Sequence, residues 1–120
     1  MERKTLGRWG EERAAAYLRR HGYKILGMNY ACRGGEIDII AQKRGFVVFA
    51  EVKLRKNADF AQAKEFVTRA KQERIMLTAQ LWLAANDCGL QPRFDVIEIY
   101  APNGTDGKID IRHIEDAFCV

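Results

Sequence analysis

Three charged residues lie inside two short hydrophobic segments of the chain. The segments are residues 36–40 and residues 46–53, and the charged residues are Asp38, Glu51 and Lys53. Segments rich in Ile, Val and Phe that are bounded by glycine or charged turns are typical of buried β-strands. Because burial of an unpaired charge costs free energy, these three side chains require either a partner or a function.

The alternation of side chains along a strand indicates which of these charges can meet. The short polar break at residues 42–45 predicts an antiparallel hairpin, whose strands would lie about 4.8 Å apart. Asp38 and Glu51 would then share one face, and they would repel each other unless a cation lay between them. Mg²⁺ typically binds one or two carboxylates together with waters and phosphate oxygens. Lys53, on the same face as Glu51, would orient a water or stabilise charge that develops at phosphorus.

A structural ion pair is the alternative interpretation of the same residues. Lys53 would then neutralise Asp38 or Glu51 at the end of a hairpin without any metal. An Asp followed by Glu-x-Lys is a short pattern that occurs by chance in many chains, although here it falls within hydrophobic strands rather than on a polar loop. The residues by themselves leave both interpretations open.

Composition limits the class of protein. The chain has 120 residues, of which 48% are hydrophobic and 30% charged, and its net charge is +4. This balance predicts a single globular domain over residues 1–120, and the mild positive charge permits a polyanionic partner. No apolar run approaches the roughly 20 residues of a membrane-spanning helix, and the charged N-terminus is unlike a signal peptide. We therefore expect no membrane association.

Cysteine and histidine spacing argues against a zinc site. The chain has three cysteines, Cys32, Cys88 and Cys119, which are far apart. An odd number of unclustered cysteines fits neither a disulfide framework nor a metal-binding motif, and predicts a cytoplasmic protein. His21 and His113 lack a Cys or His at ligand spacing, so we expect both to be structural or solvated.

Periodicity predicts two helices and up to five strands. The predicted helices are residues 5–21 and 61–86. The predicted strands are residues 23–30, 36–40, 46–53, 93–100 and 109–114. The order αβββαβ(β) indicates an α/β fold with a mixed β-sheet flanked by helices.

The first helix contributes one further candidate acid. Thr5 is predicted to cap this helix and Gly22 to stop it. Glu11 lies at the edge of its apolar face, directed towards the body of the protein, whereas Glu12 lies on the solvated side. The alternative roles for Glu11 are a first-turn carboxylate that stabilises the helix dipole, or an ion pair with Arg8 or with a neighbouring strand.

The second helix is predicted to bury one apolar stripe, with an interruption of the helix near Thr68. Arg74 falls on this stripe, Lys71 lies at its border, and Trp82 lies off it. The predicted stripe consists of Phe66, Val67, Ala70, Leu77, Leu81, Ala84 and Ala85.

Basic residues flank the carboxylates in the sequence. They are Arg33, Arg55, Lys56, Lys71 and Arg74. Positive side chains around a metal site are suited to holding a nucleic-acid backbone. Arg33, Arg55 and Lys56 are equally consistent with solvated surface charges. Lys71 and Arg74, at or on the buried stripe, would either extend to solvent or reach a carboxylate or phosphate.

The combined motifs resemble a known group of nucleases. Asp38 in the second strand and Glu51-x-Lys53 in the third match the signature of the PD-(D/E)xK superfamily. Within it the chain is similar to the YraN-like family, small and largely uncharacterised bacterial proteins with an endonuclease-like fold. The shared positions include Gly10-Glu11, Gly22-Tyr23, Asn29, residues 35–40 and 49–55, Lys71-x-x-Arg74, residues 93–96 and His113-Ile114.

The resemblance implies roles for particular positions. Asp38 and Glu51 would bind Mg²⁺ or Mn²⁺, the Val52 carbonyl would be a further ligand, and Lys53 would be the catalytic lysine. Glu11 matches a helix-1 glutamate that joins the metal site in archaeal Holliday-junction resolvases.

The expected function is therefore a metal-dependent endonuclease that acts on nucleic acid, with branched or structured DNA as the substrate. One alternative is a catalytically weak or inactive protein of the same fold that binds nucleic acid and recruits partners. Another is a protein-interaction module with a structural acid–lysine cluster. An enzyme that cuts two strands symmetrically would need a homodimer. Glu36 belongs to the family motif, and we expect it to support the site through Arg33 or Arg55.

Overall fold

The fold is a five-stranded mixed sheet with two helices, as the sequence predicted. A computed structural model of the chain describes residues 3–55 and 67–119, and side chains from residue 6 onward. The elements in chain order are α1 (Arg3–Arg20), β1 (Lys24–Cys32), β2 (Gly35–Lys43), β3 (Phe46–Arg55), α2 (Arg69–Ala85), β4 (Gln91–Tyr100) and β5 (Asp110–Phe118).

The strands follow one another across the sheet in the order β1-β2-β3-β4-β5. Neighbours are antiparallel except for β3 and β4, which are parallel. Parallel neighbours require a crossover connection, and α2 lies in that connection. Strand β5 lies at one edge of the sheet.

The two helices cover opposite faces of the sheet. Ala14 and Leu18 of α1 pack in one core cluster with Ala50 of β3. The second cluster, under α2, contains Phe49 and Trp82. Because side chains alternate along β3, Glu51 and Lys53 follow Phe49 on the α2 face.

Helix α1 agrees with the prediction except at its start. It begins at Arg3, so Thr5 lies within the helix and the predicted cap at Thr5 is wrong. The cap residue was misplaced because charged residues before Thr5 continue the helix. Glu11 consequently lies well past the first turn, which removes the helix dipole as its partner. The helix ends just before Gly22, which adopts a φ of 88° that glycine accommodates without strain.

Helix α2 buries a different face from the one predicted. Leu77 and Leu81 are 58% and 53% exposed, whereas Trp82, predicted to lie off the stripe, is buried. The buried residues of the helix are Ile75, Thr78, Ala79 and Trp82. Their spacing of three, four and seven is helical, but Thr78 interrupts the apolar signal. Its hydroxyl donates to the Arg74 carbonyl at 2.8 Å, which allows a polar side chain to be buried.

Most of the other residues predicted to form the buried stripe of α2 are exposed, but the helix begins where the interruption was predicted. Val67 is buried but precedes the helix, and Arg74 is exposed rather than on a buried stripe. The predicted stripe residues Ala70, Ala84 and Ala85 are also exposed. Thr68 is the N-cap of α2 and accepts a hydrogen bond from the Lys71 N–H, so the helix begins where the interruption was predicted. Residues 61–66 of the predicted helix, including Phe66, lie outside the described residues.

Neither α1 nor α2 has the length and apolar character needed to cross a membrane. This finding covers the part of the chain that the structure describes.

Candidate metal and nucleic-acid site

The candidate site lies where strands β2 and β3 separate. Regular pairing of the two strands runs from Lys43 and Phe46 to Ile39 and Ala50. One residue further in the same register, Asp38 and Glu51 come opposite each other. The predicted proximity of these two acids therefore follows from the hairpin register.

Asp38 is fixed by the backbone of the neighbouring strand. The Val52 N–H donates to Oδ2 of Asp38 at 2.8 Å. Hydrogen bonds from backbone N–H groups favour an ionised carboxylate and hold it in one orientation. Asp38 thus lies in a defined position at the point of strand separation.

The environment of Asp38 opposes its ionisation. Asp38 and Glu51 are only 9% and 6% exposed. Burial, followed by the charge of Glu51, raises the pKa of Asp38 to about 7. The Val52 N–H and Lys71 lower this pKa, whereas Glu11 raises it further. Two adjacent buried carboxylates of this kind are stabilised by a nearby cation.

Two lysines meet the same oxygen of Glu51. The Nζ atom of Lys71 lies 2.5 Å from Oε1 of Glu51, and the Nζ atom of Lys53 lies 3.7 Å from that oxygen. The sequence assigned Lys53 to the acids and Lys71 to nucleic acid, with a carboxylate as one alternative contact for Lys71. The specific contact of Lys71 with Glu51 was not predicted because it depends on how α2 packs over the sheet.

The pKa values of the two lysines shift in opposite directions. Burial, followed by the charge of Lys71, lowers the pKa of Lys53. Burial also acts to lower the pKa of Lys71, but its hydrogen bond to Glu51 and the charge of Glu51 outweigh this effect and raise it. Lys71 is therefore the firmly protonated member of the pair.

A cleft of about 140 Å³ opens beside the two acids. It is lined by Gly35, Glu36, Asp38, Glu51, Lys71, Arg74 and Ile75. Carboxylate oxygens and basic side chains in one cleft are suited to a cation and a phosphate group, respectively. The structure thus brings Glu36, Lys71 and Arg74 together with the acids.

Lys53, which also lies near Glu51, is not among the residues that line this cleft. It lines a neighbouring cavity of about 220 Å³ together with Arg55 and Glu98. Nε of Arg55 donates to Oε2 of Glu98 at 2.8 Å, and the Arg55 side chain is buried. Arg55 therefore pairs with Glu98 of strand β4, a contact that the sequence analysis did not predict.

Glu11 approaches the site from the opposite face of the sheet. Its charge contributes to the raised pKa of Asp38, but it lines a separate groove of about 360 Å³ with residues of α1 and β1, including Arg8 and Asn29. In residues 3–55 and 67–119, no group of three or more His, Cys, Asp or Glu side chains is arranged to hold a metal ion.

Of the remaining predicted site residues, two are exposed and one is not described. Arg33 is exposed in the turn between β1 and β2. Glu36 is exposed at the rim of the cleft. Lys56 lies outside the described residues.

A second buried polar cluster lies on the α1 face of the sheet. Asp95 accepts from the Arg93 guanidinium at 2.8 and 2.9 Å and lies 2.6 Å from Nε2 of His113. Nδ1 of His113 lies 3.3 Å from the Tyr17 hydroxyl. His113 is structural, as predicted, and the cluster connects α1, β4 and β5.

The chain is similar to other proteins over almost its whole length. Residues 10–99 match the family model described as Uncharacterised protein family UPF0102. A UPF0102 protein of Caldanaerobacter subterraneus subsp. tengcongensis is 41% identical over 119 residues, which cover 98% of each chain. One of Symbiobacterium thermophilum is 42% identical over 118 residues, covering 96% of this chain and 97% of the relative. One of Flavobacterium psychrophilum is 38% identical over 117 residues, covering 98% and 96%. In agreement with the YraN-like motifs, the chain therefore belongs to the uncharacterised protein family UPF0102.

Proposed function

We propose that the protein is a metal-dependent endonuclease of the PD-(D/E)xK superfamily that hydrolyses phosphodiester bonds in nucleic acid, with branched or structured DNA as the expected substrate. The observation that carries this proposal is the pair of buried carboxylates, Asp38 and Glu51, in the lining of an open cleft that Lys71 and Arg74 also line. Lys53 and Lys71, both next to Glu51, add the positively charged groups that phosphodiester hydrolysis requires.

The donor set fits Mg²⁺ or Mn²⁺. Asp38 and Glu51 would be the protein ligands, with the Val52 carbonyl as a further ligand and Glu11 assisting from α1. Carboxylate and carbonyl oxygens suit these cations, and one or two carboxylates suffice when waters and phosphate oxygens complete the coordination. A bound divalent cation supplies Lewis-acid polarisation of a phosphoryl oxygen.

Lys53 is the proposed catalytic residue of the chain. Its ammonium lies 3.7 Å from Glu51, and burial lowers its pKa. An amine in this position can orient the attacking water, and its protonated form stabilises negative charge that develops on the phosphate.

Substrate binding is assigned to basic residues around the cleft. Lys71 and Arg74 line the cleft itself, and Arg33 is exposed in the neighbouring turn. Arginine binds phosphate oxygens with two parallel hydrogen bonds, whereas lysine acts as a point charge. Arg55 is left out of this set because its guanidinium is bound by Glu98.

A cleavage assay tests the proposal. Purified protein is incubated with labelled single-stranded, duplex, flap and four-way-junction DNA in the presence of Mg²⁺ or Mn²⁺. We expect metal-dependent cleavage that is lost in Lys53→Ala, whose melting temperature stays close to wild type because the side chain is partly exposed. Lys24→Ala, which removes an exposed lysine of β1, is the matched control and should cleave normally. Cleavage that survives in Lys53→Ala overturns the assigned chemistry.

A second candidate function is nucleic-acid binding without hydrolysis. The close contact between Lys71 and Glu51 favours it, because a lysine in that position neutralises the acid without a metal. This function predicts DNA binding that weakens with salt and an absence of turnover with either metal.

A further inference from the structure

Lys71 occupies the position next to Glu51 that a bound cation would take. Its Nζ atom lies 2.5 Å from Oε1 of Glu51, a distance short enough for a charge-assisted hydrogen bond. Glu51 is buried and lies opposite Asp38 in the hairpin. A metal ion that uses Oε1 of Glu51 must therefore displace the Lys71 ammonium.

Of the two lysines at this oxygen, Lys71 is the one that can leave. Its side chain is 38% exposed, compared with 25% for Lys53. Lys71 lies in the first turn of α2, beside the open cleft, whereas Lys53 lies within β3. Both ammonium groups lie within 3.7 Å of the same oxygen, Oε1 of Glu51, so they repel each other and departure of Lys71 also relieves this repulsion.

The basic residues that line the same cleft indicate that a phosphate group could attract Lys71 away from Glu51. Arg74, one turn further along α2, is exposed and lines the cleft together with Lys71. A phosphate group in the cleft would contact both cations. Attraction of Lys71 to such a phosphate would leave Glu51 without its cation.

We propose that Lys71 is a resident counter-cation that weakens metal binding in the absence of nucleic acid and thereby couples metal binding to nucleic-acid binding. The inference rests on the proposed function, because it concerns the same metal site. Nucleic acid attracts Lys71 from Glu51, and the freed carboxylates then bind the metal more tightly. Thermodynamic linkage requires the converse as well: bound metal increases the affinity for nucleic acid by the same factor.

Metal titration without nucleic acid is the first test. Mn²⁺ is titrated calorimetrically into wild type, Lys71→Gln and Lys71→Met, and melting temperatures are measured with EDTA and with Mn²⁺. We expect both variants to bind Mn²⁺ about tenfold more tightly than wild type, within the usual range of coupling between sites. Lys71→Met keeps most of the aliphatic stem and so separates loss of charge from loss of packing.

Two control variants sharpen this comparison. Arg69→Gln removes one positive charge from the same turn of α2, but Arg69 is exposed and pairs with Glu73. Its Mn²⁺ affinity should equal that of wild type. Lys71→Arg retains the cation and should also bind Mn²⁺ no more tightly than wild type.

The coupling is tested by adding a short DNA duplex with hydrolysis-resistant phosphorothioate linkages. The duplex should raise the Mn²⁺ affinity of wild type by a larger factor than that of Lys71→Gln, in which only the added phosphate ligand contributes. Equal Mn²⁺ affinities of wild type, Lys71→Gln and Lys71→Met without DNA would overturn the inference while leaving the proposed metal site intact. Absence of Mn²⁺ binding in every variant would overturn the proposed metal site and the inference with it.

Discussion

Folding fixes the orientation of the Asp38 carboxylate but disfavours its negative charge. The Val52 N–H holds its carboxylate at 2.8 Å, while burial and then the adjacent Glu51 raise its pKa to about 7 from 3.8. A carboxyl group whose pKa is raised by folding stabilises the fold only while it is protonated. The contribution of Asp38 to the free energy of unfolding is therefore fully present below about pH 4 and is lost as the pH rises through about 7.

Replacement of this charge should therefore stabilise the metal-free protein at alkaline pH. We predict that Asp38→Asn in EDTA melts higher than wild type at pH 8, by about 4–8 °C for each 1 kcal/mol gained. The amide oxygen of Asn still accepts the Val52 N–H. Thermal melts from pH 4 to 8 measure the effect, and the difference between the two proteins should shrink towards pH 4. A lower melting temperature for Asp38→Asn at pH 8 would show that the negative charge is compensated within the fold.

Some contacts at the site follow from local sequence, whereas others depend on how distant elements pack. The register of a hairpin is set by its short turn, so the proximity of Asp38 and Glu51 follows from local sequence. The contact of Lys71 with Glu51 depends on where α2 crosses the sheet. The Arg55–Glu98 pair depends on the parallel register of β3 and β4. Neither of these last two arrangements has a local sequence signal.

At the scale of elements, β2 and α2 meet closely at Gly35. A Cβ atom at this position would lie 2.8 Å from Oγ1 of Thr78 and 3.3 Å from the Arg74 carbonyl oxygen. Thr78 is fully buried and hydrogen-bonded to that carbonyl, so it has little freedom to move. The small residue at Gly35 therefore lets α2 approach the strand that carries Asp38.

We predict that Gly35→Ala lowers the free energy of unfolding by about 1–3 kcal/mol, the usual cost of overpacking. Urea denaturation measures this change. The double variant Gly35→Ala/Thr78→Ala removes the Oγ1 atom and should cost less than the sum of the two single substitutions. Additive effects would indicate that Gly35 and Thr78 are not in steric contact.

The orientation of α2 leads to a second prediction at this scale. Trp82 packs edge-on against Phe49 with ring centroids 5.8 Å apart, whereas the adjacent Leu81 is 53% exposed. Trp82→Ala should lower the free energy of unfolding by about 3–5 kcal/mol, and Leu81→Ala by less than about 1 kcal/mol. Chemical denaturation of both variants checks the orientation. The reverse order would favour the helix face predicted from sequence.

The fold as a whole could be predicted better than the orientation of this helix. Strand alternation and the polar breaks between strands gave the element order correctly. The helical spacing of Ala14 and Leu18 likewise predicts that both lie on the apolar face of α1, and both are fully buried. The buried face of α2 was not predicted correctly, because Leu77 and Leu81 are more apolar than the buried Thr78. Hydrophobic periodicity cannot detect a polar residue that is satisfied by its own helix backbone.

At the scale of the molecule, one polar cluster connects several elements. Asp95 on β4 binds Arg93 and His113, and also accepts from the Asp116 N–H at 3.0 Å. The Arg93 guanidinium donates to the Tyr23 hydroxyl, just before β1. Burial acts to raise the pKa of Asp95, but the hydrogen bonds from His113, Arg93 and Asp116 outweigh it and lower this pKa.

We predict that Asp95→Ala lowers the free energy of unfolding by about 3–5 kcal/mol, because Arg93 is left without its buried partner. Because the folded pKa is depressed, the contribution of Asp95 is present above its unfolded pKa near 4 and is lost as the pH falls through the folded value. Denaturation curves at neutral and acidic pH measure both effects. Glu115→Ala, which removes an exposed acid 3.9 Å from Arg93, is the control and should cost less than about 1 kcal/mol. Equal costs for the two variants would contradict the structural role of Asp95.

The position of a bound metal ion is the most direct test of the proposed site at Asp38 and Glu51. Crystals grown with Mn²⁺ would be measured for anomalous scattering, which locates the ion without assumptions about the reaction. We predict a peak between the carboxylates of Asp38 and Glu51, with the Lys71 ammonium moved away from Oε1 of Glu51. Unchanged contact between Lys71 and Glu51, and no anomalous peak at these acids under saturating Mn²⁺, would contradict the proposed metal site and the nuclease chemistry built on it.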